Sequence, residues 1–335
     1  MPKSEILNKS TKILLNYLLG ISLFVWLTYS IYTQLMNQAN LGEALDRMLD
    51  LLADRGLFTL LGVILLMLVN WGLEARKWQF LVKPLEDVPF RRAFMAILSG
   101  VSLSINTPNR IGEYGGRILY VKNRNKLKAI AATVVGSFSQ LIVTALFGLA
   151  GLIYYLDNFG LNEAGSRLSP QVREIGLICL LVIVSLLIIL LYFRLKIIVS
   201  LFEKVSWLRK AKVFIQIIAR YSPKELRKLL LLSAVRYIVF SAQYLILLYV
   251  LGVELVWWQG LLMISTIYLV MAVVPTIAIA ELGLRGRVSI YFLGLLSPNT
   301  AGIIAATVAI WLINLILPAA MGSILLLGVK IFKEK

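Results

Sequence analysis

Histidine is absent from this sequence of 335 residues, and cysteine occurs once, at Cys179. The absence of histidine excludes imidazole acid–base chemistry and the usual zinc sites. A lone cysteine excludes an internal disulfide or a CxxC redox pair. Walker A and GxGxxG motifs and clusters of acidic metal ligands are also missing, which argues against ATP hydrolysis and metal-dependent group transfer. We therefore expect no cofactor, no bound metal and no enzymatic activity.

Acidic residues are scarce as well, with 17 Asp and Glu against 34 Lys and Arg, which gives a net charge of +17. Most of the basic excess lies in the polar segments 1–12, 74–93, 110–128, 194–228 and 330–335, whereas 36–56, 157–174 and Glu254 are acidic. This alternation is the positive-inside pattern of membrane proteins. It predicts a multi-pass protein of the cytoplasmic (inner) membrane with both termini in the cytoplasm, and it argues against a nucleic-acid partner.

Long runs without charge account for most of the chain. Hydrophobic residues make up 59% of it and the mean hydropathy is +0.85, which is too apolar for a soluble domain. A run of about 18 or more such residues is typical of a spanning helix. The runs without Asp, Glu, Lys or Arg are 13–42, 56–73, 129–156, 175–193, 255–280 and 288–329, and 229–253 is interrupted only by Arg236. The sequence predicts an all-α polytopic membrane protein, a single membrane domain over 1–335 with about seven spanning helices.

Two segments do not fit simple crossings. The apolar run 94–106 is short and has basic clusters on both sides, so we expect it to enter from the cytoplasm and return as a re-entrant hairpin. Residues 255–299 should begin and end outside, as a second and deeper re-entrant element. Helix, hairpin and helix then occur twice, over roughly 56–156 and 229–329, as an inverted repeat. The polar segment 194–228 is predicted to be a cytoplasmic amphipathic connector.

Each hairpin carries a proline and then a Glu/Arg pair four residues apart, Glu113 with Arg117 and Glu281 with Arg285. Residues at this spacing meet on one helix face, and pairing stabilises charges at depth. The predicted substrate-binding residues are Pro108, Arg110, Glu113, Arg117, Arg236, Pro275, Glu281 and Arg285. Under the alternative interpretation, the arginines of the hairpins reach the head-group level and contact bulk lipid phosphates.

The local sequence suggests how the first hairpin is built. Asn106 or Thr107 is expected to cap a helix that begins at Pro108, with its N-terminus available to a phosphate or carboxylate. Gly112, Gly115 and Gly116 are expected to allow close approach of backbones.

Other polar residues in or beside the apolar runs have simpler interpretations. Arg76, Lys77 and Trp78 are interpreted as an interfacial anchor. Three amide side chains are interpreted as hydrogen-bonding groups between helices, namely Gln140, Gln243 and Asn314.

These motifs resemble the transmembrane, flippase-like region of the lysylphosphatidylglycerol synthase family. The likeness covers approximately 13–329 and rests on LEARKWQFLVKPL, SINTPNRIGEYGGRILYVKNRN and VVPTIAIAELGLRG. The family's TPGRxGE pattern is matched by Thr107, Pro108, Arg110, Gly112 and Glu113, with Asn109 in place of a glycine. Its second pattern is matched at Pro275 and Gly283, with Gly286 where an acid is expected. The family includes bifunctional bacterial proteins whose membrane part moves aminoacylated phosphatidylglycerol to the outer leaflet, so the resemblance implies the flippase half alone.

The expected function is transport of a polar, phosphate-bearing and possibly aminoacylated lipid between leaflets by a flippase or scramblase-like mechanism. A membrane phospholipid or another polar lipid is the expected partner, and self-association into a homo-oligomer is an open alternative. A secondary transporter of a small anionic or amphipathic solute would carry the same repeats. An intramembrane lipid-modifying transferase with Glu113 or Glu281 as its base is the third alternative.

Overall fold

The protein is described from a computed structural model. It covers residues 56–105, 107, 110–160, 170–194, 217, 220–274 and 278–327, with isolated helical positions between 18 and 46. Regular secondary structure within these residues is helical throughout. The helices are α1 (Gly56–Val82), α2 (Phe90–Ser104), α3 (Gly112–Ile118), α4 (Lys126–Tyr155), α5 (Pro170–Phe193), α6 (Pro223–Val250), α7 (Trp257–Val273), α8 (Ala278–Leu293), α9 (Thr300–Trp311) and α10 (Leu317–Leu327).

Four stretches of helix are long and apolar enough to cross a membrane. They are Gly56–Val82, Asn123–Phe159, Pro223–Val250 and Thr300–Leu327, the last of which joins α9 to α10 through a π-helical turn at Leu312–Ile316. The prediction of an all-α polytopic membrane protein is confirmed, and the protein is an integral multi-pass membrane protein. The total of seven spans stays a prediction, because most of the first charge-free run, 13–42, and most of the connector 194–228 lie outside the described residues.

Helices α1 and α6 pack against each other in opposite directions. Lys77 of α1 donates to Ser233 Oγ at 3.4 Å, and Gln243 donates to the carbonyl of Val63 at 2.8 Å, so residue numbers rise along one helix as they fall along the other. Gln243 therefore joins two helices, as expected. A capping box at Ser222 fixes the start of α6, and a rise of 1.5 Å per residue places Arg236 about 20 Å along the helix axis.

In each hairpin, the segment before the first helix lies next to the segment after the second helix. In each case an asparagine side chain joins the two segments by donating to a backbone carbonyl. Asn125, which precedes α4, donates to the carbonyl of Leu85 at 3.1 Å, beyond the end of α1. Asn299, which precedes α9, donates to the carbonyl of Gly252 at 2.8 Å, beyond the end of α6. The two asparagines occupy equivalent positions in the two predicted repeat units. That each hairpin enters and leaves on one face of the membrane stays a prediction.

The first hairpin, α2 with α3, packs backbone against backbone. A Cβ atom added to Gly116 would lie 2.5 Å from the backbone of Gly100, and one added to Gly112 would overlap the carbonyl oxygen of Leu103. The expected role of these two glycines is confirmed. For Gly115 the expectation is wrong, because nothing lies within 4 Å of its added Cβ.

Each hairpin also packs against the last helix of the other unit. Helix α2 contacts α10, where Gly322 meets the carbonyl of Leu98, and α7 contacts α4, where Gly151 meets the carbonyl of Leu262. The second hairpin is the longer one, with helices of 17 and 16 residues against 15 and 7 in the first. Because each hairpin packs against the other unit, the tips of the two hairpins meet at the centre of the helical bundle. Their relation as an inverted repeat stays a prediction.

Candidate functional site

A buried glutamate of α1 binds three cations from three helices. Glu74 lies 2.7 Å from Lys77 of its own helix, 3.1 Å from Arg117 of α3 and 3.2 Å from Arg236 of α6. Glu113 adds a second carboxylate, 2.9 Å from Arg117. We call these five residues the Glu74 cluster. Burying charges costs several kcal/mol per ion unless they are paired, so this network ties the first hairpin to α1 and α6.

The sequence did not predict the centre of this cluster. Lys77 is 1% exposed and Trp78 is fully buried, with its indole N–H donating to Thr133 at 3.0 Å. Their interpretation as an interfacial anchor is therefore wrong. Helix α1 continues beyond the charge-free run to Val82, and its last two turns pack inside the bundle. The i, i+3 spacing of Glu74 and Lys77 was the signal that could have identified them.

A second cluster joins the two hairpins. Arg110, in the turn between α2 and α3, donates to both carboxylate oxygens of Glu281, at 3.0 and 3.2 Å, and Arg285 lies 2.7 Å from the same carboxylate. We call these three residues the Glu281 cluster. The two pairs predicted from spacing, Glu113 with Arg117 and Glu281 with Arg285, are both confirmed, whereas the contact of Arg110 with Glu281 spans 171 residues of sequence.

The turn that carries Arg110 has an unusual backbone. Arg110 has a φ angle of 57°, the only positive value at a non-glycine residue in the described part of the chain. This conformation costs roughly 1–2 kcal/mol for an L-residue, and such strain persists where the surroundings fix the residue. The ion pair with Glu281 supplies that constraint.

The start of the next helix differs from the expectation. Helix α3 covers Gly112–Ile118, so its start differs from the predicted start at Pro108, and the anion seat at its N-terminus stays a prediction. Thr107 accepts a hydrogen bond from the Gly112 N–H at 2.8 Å. Asn106, Pro108 and Pro275 lie outside the described residues.

A cavity of about 560 Å³ opens between α1, α4, α6, α7, α8, α9 and the π-helical turn that follows α9. All three residues of the Glu281 cluster line the cavity. Arg236 of the Glu74 cluster lines it as well, so the cavity borders both clusters. Among the described residues, three arginines and one glutamate face this space, which gives the wall an excess of two positive charges. Glu113 and Arg117 do not line it. Among the predicted site residues, the structure thus brings Arg110, Arg236, Glu281 and Arg285 together at one cavity.

The alternative interpretation, in which the hairpin arginines reach the head-group level, does not describe Arg117 and Arg285. Arg117 is 3% exposed and Arg285 is 8% exposed, and both are paired. The side chain of Arg110 is 40% exposed and lies at the edge of the cavity. Arg236 lies over the ring of Trp71, with 5.0 Å between its guanidinium carbon and the ring centroid.

Several residues that line the cavity have a buried polar atom without a protein partner among the described residues. Asn70 Nδ2 donates to Asn314 Oδ1 at 3.3 Å, which leaves Asn70 Oδ1 and Asn314 Nδ2 free. The indole N–H of Trp311 and the hydroxyl of Tyr268 are also free, as are the Nε–H groups of Arg236 and Arg285. Buried polar groups are normally hydrogen-bonded, so a cavity wall of this kind is suited to a polar guest. Within the described residues, no group of three or more His, Cys, Asp or Glu side chains could hold a metal ion.

A polytopic helical membrane protein with a charged cavity between two helical hairpins is the class that the fold and site define. The family comparison is specific: the model of the lysylphosphatidylglycerol synthase transmembrane region matches residues 13–322. The chain belongs to this family. Comparison with proteins of curated function gave no match. Family membership indicates a lipid-related function in the membrane.

Proposed function

We propose that the protein moves a phosphate-bearing lipid between the two leaflets, as a flippase or scramblase-like transporter. The observation that carries the proposal is the excess of two positive charges on the wall of a cavity within the helical bundle. Transfer of an unpaired charge into hydrocarbon is very costly. A cavity that already holds arginines lowers this cost for an anion, because guanidinium groups bind phosphate through charge-assisted hydrogen bonds.

The rim of the cavity favours a lipid over a soluble anion. Val273 is 74% exposed and Val274 is 38% exposed, and both line the cavity where α7 ends. An exposed apolar rim in a membrane protein contacts acyl chains. A head group could therefore enter the polar cavity while its chains stay in the hydrocarbon. The volume also lies within the range of about 300–1,000 Å³ that is usual for small-molecule sites.

The glutamates have a different role from a catalytic base. Glu281 is held by two arginines, and Glu113 is held by Arg117. Because both carboxylates are already bound to arginines, neither is free to contact a reacting group of a substrate. Glu281 instead resembles an internal counter-ion that an incoming phosphate would replace on Arg110 and Arg285. This favours transport over the lipid-modifying transferase.

A translocation assay tests the proposal. The protein is reconstituted into vesicles with tail-labelled fluorescent phosphatidylglycerol, and a membrane-impermeant reductant reports the probe that reaches the outer leaflet. Arg285→Gln and Arg236→Gln should each slow translocation at least tenfold. Arg287→Gln and Arg227→Gln are matched controls, because each removes an exposed arginine from the same helix, and they should keep the wild-type rate.

The same vesicles distinguish a lipid from a solute. Uptake of water-soluble glycerol 3-phosphate should equal that of protein-free vesicles. Uptake without lipid translocation would support the secondary transporter instead. Equal lipid translocation in all four variants and the wild type would contradict a role for the cavity arginines.

A further inference from the structure

We propose that the head group carried by this protein is net anionic and rich in hydroxyl groups, and that aminoacylated, cationic head groups are rejected. This inference rests on the proposed function and adds the substrate class. It is drawn from the charge and hydrogen-bonding capacity of the cavity wall.

Charge is the first argument. Among the described residues, Glu281 is the only acidic one on the wall, and it is already bound to Arg110 and Arg285. An ammonium group would meet no free carboxylate there, and it would meet the excess of two positive charges. A phosphate diester contributes one negative charge and reduces that excess. A lysyl ester adds two ammonium groups to the same diester, which makes the head group net positive and restores the repulsion.

Hydrogen-bonding capacity is the second argument, and it is independent of charge. Asn70 Oδ1 and Asn314 Nδ2 have no partner among the described residues and belong to two side chains that are bonded to each other, so an acceptor and a donor are left on neighbouring side chains. A hydroxyl group donates and accepts at once and can satisfy both. An ammonium group only donates.

The remaining free groups point to the same class. The indole N–H groups of Trp71 and Trp311 and the Nε–H groups of Arg236 and Arg285 are donors, whereas Asn70 and Gln140 supply the free side-chain acceptors. Donors outnumber acceptors, so the guest must be rich in acceptor oxygens. Stacked rings of Phe240 and Tyr268, with centroids 5.2 Å apart, border the same space. Flat apolar faces beside neutral hydrogen-bonding groups suit a glycerol or sugar moiety.

The proposal is tested with three tail-labelled probes in the same reconstituted vesicles. Phosphatidylglycerol has phosphate and hydroxyls, phosphatidic acid has phosphate alone, and lysylphosphatidylglycerol has added ammonium groups. We expect phosphatidylglycerol to move at least tenfold faster than lysylphosphatidylglycerol, a difference of about 1.4 kcal/mol. Arg236→Gln should narrow that ratio, because it removes one positive charge from the wall.

The hydroxyl contact is tested separately with Asn314→Leu, which removes the free donor at similar volume. Translocation of phosphatidylglycerol should fall at least fivefold while that of phosphatidic acid is kept, and the retained activity shows that the variant folds. Equal or faster movement of the lysyl lipid would overturn the inference and leave the proposed function standing. Failure of every probe to move would overturn both.

Discussion

At the scale of single residues, Glu74 is the central residue of the buried ion-pair network. Its carboxylate is the shared partner of Lys77, Arg117 and Arg236, and the residue is 4% exposed. Removing one partner of a buried ion pair leaves an uncompensated charge. Glu113 differs, because its side chain is 18% exposed and Arg117 would keep Glu74 if Glu113 were neutralised.

Glu74→Gln should therefore destabilise the protein more than Glu113→Gln. We expect a loss of about 3–5 kcal/mol for Glu74→Gln, the usual cost of breaking a buried ion pair, and a smaller loss for Glu113→Gln. Thermal melts in detergent measure both. Glu254→Gln removes an exposed acid from the loop before α7 and should melt like the wild type. A melt of Glu74→Gln that matches this control would show that Glu74 is not the centre of the network.

The contact between the hairpin tips gives a second prediction at this scale. Arg110→Gln and Glu281→Gln should each lower stability, and the double variant should lose less than the sum of the two, because Arg110 and Glu281 are bonded directly. Thermal melts of the four proteins give the coupling. Additive losses would mean that the tips do not interact in solution.

At the scale of elements, the first hairpin depends on glycine where α3 crosses α2. Gly116 lies against the backbone of Gly100, whereas Gly115, one residue earlier, faces open space. Backbone contact this close also sets the position of Arg117 on α3. The hairpin is therefore a rigid support for the Glu74 cluster.

Gly116→Ala should separate α2 from α3, at a cost of about 1–3 kcal/mol that is typical of overpacking, and should slow lipid translocation. Gly115→Ala is the matched control and should be neutral or slightly stabilising, because alanine favours helix more than glycine does. Melting temperature and translocation rate are measured for both variants. Similar behaviour of the two alanine variants would contradict the tight crossing.

At the scale of the whole molecule, the ends of both hairpins determine the topology. Lys122 N–H donates to the Glu86 carboxylate at 3.0 Å, next to the bond from Asn125 to Leu85, so the segments before α2 and before α4 lie side by side. Asn299 joins the corresponding segments of the second unit. The first helices of the two units are antiparallel, which is the relation required by an inverted repeat.

Cysteine labelling tests this topology after Cys179 is replaced by serine. Cysteines at Asp87 and Arg124 should both react from the cytoplasm only, because they flank the first hairpin. Cysteines at Asn158 and Glu254 should react from outside only. All four positions are exposed. Labelling of position 124 from outside would mean that residues 90–118 cross the membrane once, and the re-entrant hairpin and the inverted repeat would both be wrong.

The sequence alone determined the features that depend on local spacing and composition. The membrane class follows from charge-free runs long enough to cross a bilayer. The ion pairs within α3 and α8 follow from the helix period, which brings residues four apart onto one face. Gln243 and Asn314 were expected to hydrogen-bond between helices because an amide in an apolar run needs a partner, and both do.

Tertiary structure alone decided which of these local features form one site. Glu74 meets Arg236, and Arg110 meets Glu281, across more than 160 residues of sequence. No local period encodes such contacts, because membrane helices are apolar on nearly every face and their patterns do not show which face packs inward. Lys77 was misplaced for the same reason, since burial at the end of α1 depends on the neighbouring helices α4 and α6. The cavity and its charge excess exist only once the two hairpins pack against each other's units.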